Sequence, residues 1–264
     1  LSRAVISNRP LPEIITGALY GKHFRVFADS MKKAASETGK TIYIGAQLLD
    51  GEPASWATNT DKSWNQGVLT EAGNKADFFI VHNYFTPFNT NSNAAEILNT
   101  AITVPSASIS YVQAQMTKYN VPVKPVALTE WNIFAVNSKQ SVSHVAGMHL
   151  VMVLNELMKN KFGLATRWDL ANGWNNGDDH GLFSRGEAES GEPAWNPRPA
   201  FYHQYFFQKM LGDRCINAST PASTGIAAYA STFSSGEISV TLANTSVNSH
   251  TVQLDFKNFN PGKR

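Results

Sequence analysis

The stretch Val126-Ala127-Leu128-Thr129-Glu130-Trp131-Asn132 decides how this 264-residue chain is read. A short apolar run, of strand length, ends on a carboxylate flanked by an aromatic ring and an amide. A carboxylate at the end of a buried strand loses solvation unless it is hydrogen-bonded, so the position calls for structural partners or for a chemical use. Glu130 therefore caps the following helix, pairs with a nearby Lys or Arg, or does chemistry.

The same form recurs on either side. Ile42-Tyr43-Ile44-Gly45-Ala46 reads as a strand buried on both faces and runs into Gln47. Phe78-Phe79-Ile80-Val81 runs into His82-Asn83-Tyr84, and Leu164-Ala165-Thr166 into Arg167-Trp168-Asp169, with Asn172 and Trp174 soon after. Between these runs lie helical patterns. Ala18, Phe24, Phe27, Met31 and Ala34 recur at helical spacing over 17–37 before Gly39, and further patterns cover 63–72, 94–101, 106–119, 142–158 and 200–210, the last with Pro199 in its first turn. Strands alternating with helices predict βαβ units and a parallel sheet, an α/β fold. Such folds carry their chemistry at the carboxyl ends of the strands. The candidate site residues are accordingly Glu130, His82, Tyr84, Asn83, Trp131, Trp168, Asn172, Trp174 and Gln47.

From Gly225 the pattern changes. The stretches 226–233, 238–244 and 252–256 alternate apolar and polar residues between Ser-Ser-Gly and Asn-Ser turns, which predicts the beginning of an antiparallel second domain. The expected division is 1–212 and 213–264. Three short strands cover one another poorly, and about sixteen residues precede the first helix, so the chain is expected to be a piece of a larger protein.

Composition removes several classes. Lys and Arg number 22 against 20 Asp and Glu, a formal charge of +2, so the diffuse positive field of a nucleic-acid binder is missing. With 42% hydrophobic and 16% charged residues, against about 25% charged in an average domain, the chain folds. No apolar run approaches the roughly 20 residues of a membrane span. The single Cys215 excludes an internal disulfide framework and a multi-thiolate zinc site, and no cofactor is expected. Six Trp, eight Tyr and 15 Phe beside many Asn, Ser and Thr match either an aromatic-filled core or the surface of a secreted or periplasmic carbohydrate-active protein, with flat rings to stack on sugars.

At this point the sequence resembles the retaining glycoside hydrolases with a (β/α)8 barrel, clan A. The run 126–132 looks like the seventh barrel strand of families 51 and 39, whose terminal Glu is the nucleophile. His82 and Tyr84 match the end of the sixth strand, and Trp168 or Trp174 the aromatic floor after the eighth. The resemblance implies the C-terminal half of such a barrel followed by the start of a β-sandwich. It further implies that Glu130 attacks an anomeric carbon, that Tyr84 or His82 hydrogen-bonds it, and that an oligosaccharide or polysaccharide is the substrate. An arabinofuranosidase-like activity is favoured over an agarase or porphyranase. The acid/base carboxylate of the clan, usually a Glu after an Asn at the fourth strand, has no counterpart, since Asn155-Glu156 falls in a helix and reads as a surface feature.

Weaker features remain. Asp178-Asp179-His180 lies between Gly177 and Gly181 and suits a cation, a sugar hydroxyl or a simple turn. His144, His149 and His203 read as packed or surface histidines. Trp195 edges the cleft or packs, and Trp56 and Trp64 are outer-subsite candidates. Two rival functions are a non-catalytic carbohydrate-binding protein and an α/β hydrolase using Ser and His, though no Gly-x-Ser-x-Gly elbow occurs.

Overall fold

The computed structural model describes residues 14–173, 179–186, 191–221 and 224–260. The chain divides between Lys209 and Met210 into two compact units.

In the first unit, helix α1 (Gly17–Glu37) starts where the Thr16 side chain accepts a hydrogen bond from the Leu19 amide and stops before Gly39, whose φ of +67° suits glycine. It leads to strand β1 (Gly45–Gln47), the short helix α2 (Asn59–Lys62) and helix α3 (Trp64–Ala72). α1 and α3 lie backbone to backbone. A Cβ on Gly17 would stand 2.1 Å from the Trp64 carbonyl oxygen, and one on Gly67 2.3 Å from the Ala18 nitrogen, so only glycine permits this approach. Strand β2 (Phe78–Tyr84) is followed by helix α4 (Ala94–Lys118), which opens on a capping box between Asn93 and Glu96. Strand β3 (Val126–Asn132), helix α5 (His144–Lys159) and strand β4 (Leu164–Arg167) follow. The short pair β5 (Ala171–Asn172) and β6 (Phe183–Ser184) precedes helix α6 (Pro199–Met210).

The first four strands form one parallel sheet in the order β1-β2-β3-β4, each connected to the next through helix. Phe79 and Val81 of β2 point to the helical side and are buried with Val68 and Leu69 of α3, Ile97, Val112 and Met116 of α4, and Leu150 and Val153 of α5. Alternate residues Phe78, Ile80, His82 and Tyr84 line the other face and are only half-buried. Among the described residues no helix is long and apolar enough to cross a membrane.

Several expectations change. The first strand is shorter than 42–46, and Tyr43 is 76% exposed, so the apolar run does not stay buried on both faces. The two helices expected either side of Pro105 are one, because that ring is buried within α4 and the hydrophobic face continues through Ala101, Ser108 and Ile109. Asn155 and Glu156 are not surface residues. Both are buried in α5, the Glu156 carboxylate taking a 3.1 Å contact from Lys159 Nζ and the Asn155 amide bonding the Val151 carbonyl.

The second unit contains an antiparallel sheet of β7 (Arg214–Ile216), β8 (Ile226–Thr232) and β9 (Ile238–Asn244). β7 lacks a sequence signal because Arg214 and Cys215 are exposed on it. Among the described residues, the expected strand 252–256 forms no strand pairing. A cavity of about 780 Å³ is lined by Ala228 and Val240 of the sheet and by Val252, Leu254 and Phe256 of this segment.

Candidate active site

The carboxyl ends of β2 and β3 carry the site, and an irregularity in β3 builds it. Val81 pairs with Leu128, but the next residue, His82, pairs with Glu130, so β3 holds one extra residue, Thr129. β4 meets the same extra residue, advancing two positions while β3 advances three from Leu128 to Trp131. Such a bulge re-aims side chains. Tyr84 Oη donates to Glu130 Oε1 at 2.8 Å, His82 Nδ1 lies 3.6 Å from Glu130 Oε2, and His82 Nε2 lies 2.9 Å from Thr129 Oγ1. The Glu130 and His82 side chains are 30% and 29% exposed, open to an incoming ligand. Burial, then the hydrogen bond and charge of Glu130, push the Tyr84 hydroxyl far above its ordinary range. It stays a protonated donor.

Tyr84 is held on two sides. Its ring centroid is 4.8 Å from that of Phe134 and 5.3 Å from that of His180. The sequence groups His180 with a possible cation site; the structure places it here instead. Its Nε2 is 3.1 Å from the Ile133 carbonyl, and its own carbonyl accepts from Arg167 Nη1 at 2.7 Å. Burial, with the charge of Arg167, lowers its pKa to about 4, so the imidazole is neutral at ordinary pH. The cation met by Asp179 is a guanidinium: Arg198 Nη2 lies 2.5 Å from Asp179 Oδ2, with both side chains buried, while Asp179 Oδ1 accepts from the Gly181 amide at 2.6 Å. Burial outweighs these partners and pushes Asp179 up to about 6. Asp178 and Trp174 lie outside the described residues. Among the described residues no group of His, Cys, Asp and Glu is arranged to hold a metal ion.

The remaining candidates divide. Trp168 follows β4 at the same strand ends, 45% exposed, its amide bonded to the Trp131 carbonyl. Trp131 is a correction. One residue past Glu130 it points to the helical side, is 1% exposed and packs against Phe85, so its ring stacks in the core and not on a ligand. Asn83 likewise faces away, its amide donating to Asp50 Oδ2 at 2.5 Å, and the burial of Asp50 raises that carboxyl. Gln47 spends its side-chain amide on the Leu48 carbonyl, and Asn172 accepts from the Gly173 amide. Trp64 is structural, bonding the Gln47 carbonyl and packing on Tyr20, whereas Trp56 and Trp195 are 84% and 67% exposed. His149 is fully buried and packed, whereas His144 is an exposed residue whose ring contacts the half-buried His203.

Sequence reasoning overlooks Thr129, Asn132 and Asp50. A signal for the first exists: a polar residue between Leu128 and Glu130 makes the strand one residue too long for strict alternation. Asn132, buried, donates to the Trp168 carbonyl at 2.6 Å and so ties β3 to the end of β4.

No family profile and no curated protein matches the chain. Solved structures do match its fold. The α-L-arabinofuranosidase of Thermotoga maritima, in complex with arabinose, superposes with a TM-score of 0.60 at 18% identity over 88% of this chain and 48% of that one. The family 51 arabinofuranosidase of Xanthomonas axonopodis pv. citri gives 0.62 at 14% over 89% and 49%. The family 39 β-xylosidase of Caulobacter crescentus gives 0.50 at 16% over 82% and 41%. The fold thus resembles that of clan A glycoside hydrolases, and the chain spans about half the length of these proteins.

Proposed function

We propose that this chain carries the nucleophile half of a retaining glycosidase, its parallel sheet being strands five to eight of a (β/α)8 barrel and its second unit the start of a sandwich. The observation that carries the reading is the arrangement of Glu130, Tyr84 and His82 on adjacent strand ends. Glu130 attacks the anomeric carbon as the glycosidic C–O bond breaks, giving a glycosyl ester. A second carboxylate, about 5–5.5 Å away in enzymes of this type, protonates the departing oxygen and then takes a proton from the water that cleaves the ester. We place that carboxylate outside the residues at this rim, since the Asn155-Glu156 pair is buried in α5. Tyr84, a committed donor, holds Glu130 in one orientation, and His82, itself held by Thr129, stands 3.6 Å from the other carboxylate oxygen. Trp168 offers an exposed ring to the sugar. The favoured substrate is an arabinofuranoside of plant polysaccharide, with agarose-type chains as the alternative.

The nucleophilic step can be tested alone. A 2,4-dinitrophenyl 2-deoxy-2-fluoro-α-L-arabinofuranoside has a leaving group that departs without an acid, so a covalent adduct should form on Glu130, read by intact mass and peptide mapping. In the protein that turns over glycosides, Glu130→Ala should abolish activity and added azide should restore it, releasing a glycosyl azide of inverted configuration. Full activity in Glu130→Ala sinks the reading.

A further inference from the structure

Two aromatic residues outside the candidate site extend it. Phe134 lies against Tyr84, and Phe88 lies edge-on to Phe134 with centroids 5.4 Å apart and planes 79° apart, so an unbroken series of rings runs from the donor of Glu130 to the surface. Phe88 is 65% exposed. Left in a mobile loop, such a ring would fold back onto apolar neighbours. Here its backbone is fixed. The β2–α4 loop is stitched to the β3–α5 loop at three places: the Phe134 amide bonds Thr86 Oγ1 at 3.0 Å, the Asn137 amide bonds Asn89 Oδ1, and the Lys139 amide bonds Asn91 Oδ1 at 3.0 Å. Asn89 and Asn137 both sit in the left-handed region, at φ of 58° and 59°, which asparagine tolerates better than other non-glycine residues. Below them Phe85 anchors the loop, its amide bonded to the Asn132 carbonyl and its ring against Trp131 and His149.

We propose that Phe88 and Phe134 form a stacking subsite for a second, neutral sugar ring of the chain whose neighbouring ring is held at Glu130. The proposal rests on the glycosidase reading and narrows it to oligomeric substrates. A sugar presents an apolar C–H face and peripheral hydroxyls, which suits a rigid exposed ring continuous with a half-open carboxylate site. The surroundings supply neutral amides.

The test is calorimetric titration of the 264-residue chain with methyl α-L-arabinofuranoside and with α-1,5-arabinotriose, repeated with xylotriose. Phe88→Ala should weaken trisaccharide binding about three- to tenfold, the ordinary worth of one aromatic contact, and leave the monosaccharide unchanged, while Phe88→Trp keeps trisaccharide affinity. Since Phe88 is exposed, the melting temperature of Phe88→Ala should match that of the parent, which verifies folding. Equal trisaccharide affinity in the parent and Phe88→Ala overturns the subsite alone. Absence of binding by every sugar to the parent overturns the glycosidase reading with it. A parent that dimerises while Phe88→Ala stays monomeric, at equal sugar affinity, would reassign the ring to an interface between copies.

Discussion

Thr129 and Glu130 are neighbours in sequence, yet both reach the same imidazole: Thr129 Oγ1 is 2.9 Å from His82 Nε2 and Glu130 Oε2 is 3.6 Å from His82 Nδ1. In a regular strand their side chains would take opposite faces. The extra residue of β3 sets one of the pair beside each nitrogen of the ring.

Thr129→Val removes the hydroxyl while keeping the side-chain shape. With one neutral hydrogen bond worth about 0.5–1.5 kcal/mol, labelling of Glu130 by the activated fluoroarabinoside should slow about two- to tenfold. The 15N shifts of His82 should move, since its Nε2 loses its partner. Unchanged shifts would mean that the contact is incidental.

Tyr84→Phe removes a donor to a charged group, worth about 1.5–3 kcal/mol. Labelling of Glu130 should slow by about ten- to a hundredfold. The ring contacts with Phe134 and His180 survive, so melting should change little. Because the hydroxyl is raised well above its ordinary range, the wild-type rate should show no break from its ionisation below about pH 10. Equal rates in the two proteins would leave Tyr84 without a role at the carboxylate.

Much of this site is legible in the residues, and the exceptions have physical causes. The alternation of apolar runs with helical spacing marks the four parallel strands, and the polar ends of β2 and β3 mark the rim. What local pattern misses is facing. Trp131 and Asn83 sit beside site residues in sequence, but a period of two sends them to the helical side, where Phe85 and Asp50 receive them. Pro105 reads locally as a break, whereas burial along α4 overrides it. The place of His180 depends on contacts with residues 13 to 48 positions distant, Arg167 and Asn132 among them, which no local pattern encodes.

Acid should destabilise the protein through buried histidines. His149, in the core beside Phe85 and Thr100, has its pKa lowered to about 3 by burial, and His180 to about 4. The unfolded chain takes up these protons near about pH 6.5 and the folded one does not. Their contribution is therefore complete above about pH 6.5 and is lost as pH falls toward about 3, at up to about 1.4 kcal/mol per pH unit for His149. Urea unfolding between about pH 7 and about pH 4 should show this slope, shallower in His149→Leu. An identical slope in that variant would refute the assignment.

Arg198→Met strands the Asp179 carboxylate, which is fully buried. Breaking a buried pair from one side costs about 3–5 kcal/mol, so the melting temperature should fall by roughly 10 °C. Replacing both partners, as Arg198→Met with Asp179→Leu, should recover most of that loss. A double variant no more stable than the single one would show that the loop depends on these charges for its shape.

The sheet of the first unit is packed on one side and half-open on the other, and this divides the strands by residue parity. On β2, Phe79 and Val81 answer to the core, while Phe78, Ile80, His82 and Tyr84 answer to whatever occupies the open face. Sequence drift along β2 should thus be constrained by two unrelated pressures on alternate letters. On β3 the two series exchange places at Thr129. A lineage could retune its ligand by changing one series without remodelling the other, but loss of that single residue would send Glu130 to the core and bring Trp131 out.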